Sequence, residues 1–157
     1  MKELRAIVGR SGTGKNYLAK VFGLKCVPSY TTRPIRNGEI NGVEHIFIKP
    51  EEFQRYEKNT NIVAHQKLYG YDYFVTTDLL DNYDAMIIDP AGLKMLQENY
   101  THREIIVILI VSSLFRRIIN MYKRGDGIIS ILKRIYTDRK YFSEFEVSGK
   151  YDYTVRI

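Results

Sequence analysis

Glycines, one lysine and a set of arginines carry the most evident chemistry in this 157-residue chain. Gly9, Ser11, Gly12, Thr13, Gly14, Lys15 and Asn16 lie in Gly9-Arg10-Ser11-Gly12-Thr13-Gly14-Lys15-Asn16, a G-x-x-x-x-G-K pattern. A turn with glycines at these places can adopt positive φ and close backbone N–H groups around phosphate oxygens, while Lys15 adds a mobile positive charge. A hydroxyl that helps hold Mg²⁺ is expected after the lysine; Asn16 offers an amide oxygen instead. Arg33 and Arg36 sit in a proline- and glycine-containing stretch, where two guanidiniums either capture a second anion through bidentate bonds or decorate a solvated turn. Asp89 ends an apolar run and reads equally as a Mg²⁺-facing acid or as the N-cap of the next helix.

These residues need a frame. Leu4 to Val8 is a short apolar strand, and Tyr17 to Phe22 has helical spacing, so the glycine loop joins a strand to a helix. That context favours phosphate binding over an ordinary glycine-rich turn with an exposed lysine. Val27 to Tyr30 reads as a second strand, Glu44 to Ile48 as a third, Pro50 to Tyr56 as a short helix and Ile62 to Leu68 as another strand. Gly70 to Tyr73 then makes a tight return, and Thr77 to Tyr83 is a short helix. Buried strands follow at Ala85 to Asp89 and Ile105 to Val111, separated by a helix from about Gly92 to Asn99. Strands alternating with helices imply parallel pairing. Ser112 or Ser113 caps a helix expected to bury Leu114, Phe115, Ile118, Ile119 and Tyr122. Lys123-Arg124-Gly125-Asp126-Gly127 is a basic hinge, a helix from Ile128 to about Phe142 carries Arg134, and Tyr151 to Ile157 alternates as a final strand.

The length suits one domain, and 45% hydrophobic residues supply its core. A lone cysteine, Cys26, fits a reducing compartment. Met1 leads directly into a strand and the longest apolar run is too short to cross a bilayer, so a soluble cytoplasmic protein is expected. The net charge of +6 suits either a nucleic-acid binder or an enzyme for polyanionic small molecules. Basic residues in short groups beside glycines favour the enzyme, with no nucleic-acid or membrane partner.

The segment Ser29-Tyr30-Thr31-Thr32-Arg33-Pro34, continued by Arg36, Gly38, Glu39, Gly42 and Phe47, follows S-x-T-T-R-x-x-R-x-G-E-x-x-G. Together with the glycine loop it makes the chain resemble the guanylate kinase family over nearly its whole length. The resemblance implies a single α/β domain, 1–157, with the P-loop NTPase three-layer fold and a parallel central sheet. It implies a core (1–30, 83–123 and 137–157), an inserted monophosphate-binding lobe (31–82) and a short lid (124–136). It also implies ATP and Mg²⁺ and phosphoryl transfer to a nucleoside monophosphate, GMP or dGMP, in a monomer or homodimer. In such an enzyme Lys15 and the loop from Gly9 to Asn16 would hold the donor phosphates. Arg124 and Arg134 would close on the transferring group, Ser29, Arg33, Arg36, His45 and Tyr73 would grip the acceptor, and Asn16 and Asp89 would face the metal.

Departures from the family pattern fall at the base, at the phosphate grip and in the lid. Ala64 stands where a glutamate reads guanine, Val75 where a hydroxyl contacts it, His45 where a tyrosine is usual, and Asn120 where a lid arginine is usual. Gln66, on Ala64's face of the strand, can compensate in part. The alternatives are a kinase for another deoxynucleotide or a ribose bisphosphate, and a non-catalytic phosphoprotein-binding module. The retained Lys15 and glycines argue against the module.

Overall fold

A computed structural model of the protein describes residues 3–36, 38–43, 45–59, 61–68 and 70–157. Asn37, in the arginine-bearing loop, and Glu44, at the expected start of the third strand, lie outside the described residues. In chain order the elements are β1 (Leu4–Val8), α1 (Lys15–Val21), β2 (Ser29–Thr31), β3 (His45–Phe47), α2 (Pro50–Asn59), β4 (Ile62–Leu68) and β5 (Tyr71–Thr76). They continue with α3 (Thr77–Leu80), β6 (Ala85–Ile87), α4 (Pro90–Asn99), β7 (Ile105–Val111), α5 (Leu114–Lys123), α6 (Ile128–Ser148) and β8 (Tyr153–Arg156).

The apolar runs at β1, β6 and β7 form a parallel sheet of order β6-β1-β7-β8 because both of its faces are covered. Leu4, Ala6 and Val8 of β1 point to one side, against Leu93 and Leu96 of α4 and Phe142 of α6. Ile7 points to the other, against Ala19 of α1 and Ile110 of β7. The result is three layers: helix, sheet, helix.

A second, mixed sheet of order β3-β2-β5-β4 builds the inserted lobe. Its β2 pairs parallel with β3 and antiparallel with β5, and β5 pairs antiparallel with β4. Phe53 and Tyr56 of α2 pack on Phe74, which stacks on Tyr30 at 5.0 Å. On its other side the lobe shares the main core, since Val63, Ala64 and Val75 join the cluster of Leu93 and Leu96.

Four local expectations change. The expected return at Gly70 to Tyr73 is a turn only at Gly70, whose φ is +84°; Tyr71 onward is strand β5. Asp89 lies beyond β6 and caps α4, its carboxylate accepting from the Gly92 N–H at 2.8 Å. Helix α6 runs past Phe142 to Ser148, where Gly149 in the left-handed region ends it. Most telling is α5, whose apolar stripe is not its buried face. Leu114, Phe115 and Tyr122 are 50%, 73% and 68% exposed, while Arg117 and Met121 are buried. A charged side chain wins the interior position because its ion-pair and hydrogen-bond partners are already there.

Candidate active site

The glycine loop folds around a single carbonyl. Arg10 O accepts from Thr13 N–H (3.3 Å), Thr13 Oγ1 (2.8 Å) and Lys15 Nζ (2.9 Å), and Lys15 Nζ also donates to Gly9 O at 2.6 Å. Glycine is required where the loop meets its neighbours. A Cβ on Gly12 would lie 2.5 Å from the Arg117 carbonyl oxygen, and its φ is +77°; one on Gly9 would lie 2.7 Å from Ile110 O. Gly14, at φ +86°, is the N-cap from which α1 starts with Lys15 as its first residue.

Residues Ser11 to Tyr17 form one wall of an open cleft of about 700 Å³, completed by Arg116, Asn120, Lys123, Arg124, Arg134 and Ile157. Five of these side chains are cationic, and no carboxylate belongs to the described lining. Such a surface suits a polyanion. Burial lowers the Lys15 pKa to about 8; Arg117, Arg124 and Arg134 push it the same way, and Asp138 opposes them. The Arg134 Nε atom is buried with no hydrogen-bond partner among the described residues, although Asp126 Oδ2 lies 3.7 Å away. A buried donor left in that state is a group waiting for an acceptor.

In the second sheet, β2, β3 and β5 bring together Ser29, His45 and Tyr73, with Arg33 and Arg36 following β2. Ser29 Oγ and His45 Nδ1 are 2.9 Å apart, and the His45 and Tyr73 rings meet edge-on at 5.6 Å. Burial, helped by the Arg33 charge, pulls the His45 pKa below its ordinary value. Arg33 is 6% exposed, with Nη1 and Nη2 donating to the two Glu39 oxygens at 3.0 and 2.8 Å and Nη1 also reaching Pro34 O. Arg36 is exposed and uses its backbone N–H on Glu39. Asp126, between α5 and α6, feels charges from both parts of the chain. Burial would raise its carboxyl, but the Arg124 hydrogen bond and the charges of Arg124, Arg134 and Arg36 outweigh burial and lower it. Arg36 of the lobe and Arg134 beside Lys15 therefore act on one carboxylate.

Comparison with known proteins agrees with this geometry. A family model described as guanylate kinase matches residues 3–156. The chain is 31% identical to a guanylate kinase of Syntrophus aciditrophicus over 156 aligned positions, covering 92% of this chain and 73% of that protein. It is 33% identical to a guanylate kinase of Clostridium tetani, covering 97% and 76%. The chain belongs to the guanylate kinase family. A solved guanylate kinase from Anaplasma phagocytophilum shares the fold, with a TM-score of 0.63 at 22% identity over 99% of this chain and 76% of that one.

Within this guanylate kinase fold, the two positions where the sequence departs from the family's base-reading residues are apolar and closed. Ala64 and Val75 are cross-strand partners, 3% and 0% exposed. Gln66, paired with Tyr73, is half-buried and is the amide nearest to them along that face of β4. Asn120 does not project a charge into the cleft as an arginine would; its Nδ2 donates to Gly12 O at 2.8 Å and braces the loop.

Two residues of the site have no local signal in the sequence. Arg117 and Asp138 are 4% and 5% exposed and meet beneath Ser11 at 2.5 Å. Arg117 lies beside the predicted apolar stripe of α5, on the face it shares with buried Met121.

Proposed function

We infer that this protein transfers the γ-phosphoryl group of ATP to GMP or dGMP, releasing ADP and the diphosphate. An oxygen of the acceptor phosphate attacks the γ-phosphorus, the bond from that phosphorus to the β–γ bridging oxygen breaks, and the electron pair leaves on ADP. The acceptor is already ionised, so no general base is needed, and the protein's task is to align two anions and offset their charge. The observation that carries this reading is the cationic cleft lined by Lys15, Arg124 and Arg134, with Arg36 of the second sheet's loop acting on the same Asp126 carboxylate as Arg124 and Arg134.

Lys15 would leave the Gly9 and Arg10 carbonyls for donor phosphate oxygens. Arg134 supplies a donor with no present hydrogen bond, and Arg124, bonded to Asp126, would swing with the hinge. Arg33, Arg36, Ser29, His45 and Tyr73 would hold the monophosphate.

Mg²⁺ fits the donor set in a limited way. The described residues contain no group of three His, Cys, Asp or Glu side chains. Asn16 offers an exposed amide oxygen, and Asp89, whose pKa burial raises, has one carboxylate oxygen bonded to Gly92. Both are hard oxygen ligands, and an ion that keeps mostly phosphate and water oxygens suits them. When bound, Mg²⁺ neutralises charge on the β- and γ-phosphates.

The test is a coupled ADP-release assay with ATP and a panel of nucleoside monophosphates and ribose phosphates. GMP and dGMP should give the highest kcat/KM, and absence of turnover with every acceptor would end the kinase reading. No described helix is long and apolar enough to cross a membrane.

A further inference from the structure

Arg10 and Ser11 fill variable positions of the G-x-x-x-x-G-K pattern, yet they tie the loop to the rest of the chain. The Asp138 carboxylate on α6 accepts from the Ser11 backbone N–H at 2.8 Å and from Ser11 Oγ at 3.1 Å. Arg117 on α5 donates Nη2 to the same carboxylate and Nε to the Ser11 carbonyl at 2.8 Å. Ser11 is thus held through its N–H by the anion and through its C=O by the cation. Further along α6, Glu146 receives Arg10 Nε and Nη2 at 2.7 and 2.6 Å. One turn before Asp138, the same helix carries Arg134 into the donor cleft.

We propose that Asp138, backed by Arg117, is a positioning residue that clamps the phosphate loop to α6, so that Lys15 and Arg134 meet the donor at a fixed separation. The inference rests on the phosphoryl-transfer reading of the cleft. An apolar pair of similar volume serves stability as well as a buried ion pair or better. What an apolar pair cannot do is bond a loop residue's N–H and C=O at once. Because Asp138 and Arg134 are neighbours on one face of one rigid helix, fixing the first to Ser11 fixes the second over the loop. Arg124 is left outside this unit, its guanidinium bonded to Asp126 within the hinge.

The test replaces the pair with apolar side chains, R117M/D138L, a change that core energetics tolerate better than removing one partner. Hydrogen exchange at the amides of residues 11–14 should rise about tenfold or more, while β1 and β7 change by less than about twofold. In the wild-type background Arg134→Ala should lower kcat by roughly 100-fold, and in the R117M/D138L background by less than about fivefold, since a misplaced arginine has little left to lose. A residue with a merely structural role would leave that ratio the same in both backgrounds. Ser11→Ala, at a half-exposed site, removes only the Oγ bond and should raise exchange in the loop by about threefold, whether or not the double variant folds. Unchanged exchange at residues 11–14 in the folded variants, or equal Arg134→Ala losses in both backgrounds, overturns the clamp. A wild-type chain without turnover on any monophosphate would end the kinase reading, and the exchange comparison would still decide the clamp.

Discussion

The two regions proposed above as the donor and acceptor walls keep their positive charge in opposite ways. On the donor wall, Lys15 donates to the carbonyls of Gly9 and Arg10, neutral acceptors that leave its charge uncancelled. On the acceptor wall, Arg33 is cancelled by Glu39 through two parallel bonds, and only Arg36 stands exposed. Carbonyl dipoles are easily exchanged for phosphate oxygens, whereas a carboxylate in a bidentate fork competes with them. On the proposed reading, the first wall would attract a triphosphate, and the second would present to the monophosphate an arginine already fixed by Glu39.

The sharpest way to break this contrast is Lys15→Ala, which should lower kcat/KM by roughly 100- to 1,000-fold with no loss of fold, as removal of a preorganised charge-stabilising donor does. Steady-state kinetics and a melting curve check both halves. Next comes Arg33→Ala, expected to raise KM for the monophosphate by about 10- to 100-fold, the value of charged hydrogen bonds, and to leave KM for ATP within about twofold. If KM for ATP alone moved, the two walls would be wrongly assigned.

A smaller effect separates the walls by pH. Lys15 titrates near 8 in the ligand-free protein because burial and the neighbouring Arg117, Arg124 and Arg134 disfavour its charged form, with Asp138 opposing them. Only the protonated amine attracts phosphate, so donor affinity is full below this pKa and declines as pH rises through it. Calorimetric ADP binding should weaken roughly fivefold between about pH 8 and pH 9, following the protonated fraction, and Lys15→Arg should flatten the profile. The acceptor wall, carrying arginines, should not follow it. The smallest effect belongs to Asn120→Ala. Losing its bond to the Gly12 carbonyl should cost about 1 kcal/mol and a few-fold in kcat, read by denaturant melts and turnover.

Local chemistry made much of this legible from the residues alone. The strand, glycine turn and helix around Lys15 declare themselves because strand periodicity, positive-φ glycines and the loop's spacing are short-range features. The limits of β7 coincide with its apolar run for the same reason, and β4 spans the stretch the sequence marked as a strand. Segment 29–47 carries its family pattern in a contiguous stretch, and the lobe's arginines were found from it. Asp89 left two readings open, and packing realised the capping one, since the Gly92 N–H lies within reach.

What the sequence could not settle depends on contacts between distant residues. The inward face of α5 was misread because an apolar stripe predicts burial only when the neighbour is apolar. Here the neighbour is Asp138, brought in by a second helix. The closed, apolar environment of Ala64 and Val75 likewise follows from β4 packing on α4, which no local window contains. Residue types and spacing determined which charged and glycine-rich segments the chain carries. Only the tertiary structure decided which charges face one another, because Coulomb interactions and peptide hydrogen bonds act through space between groups the chain keeps far apart.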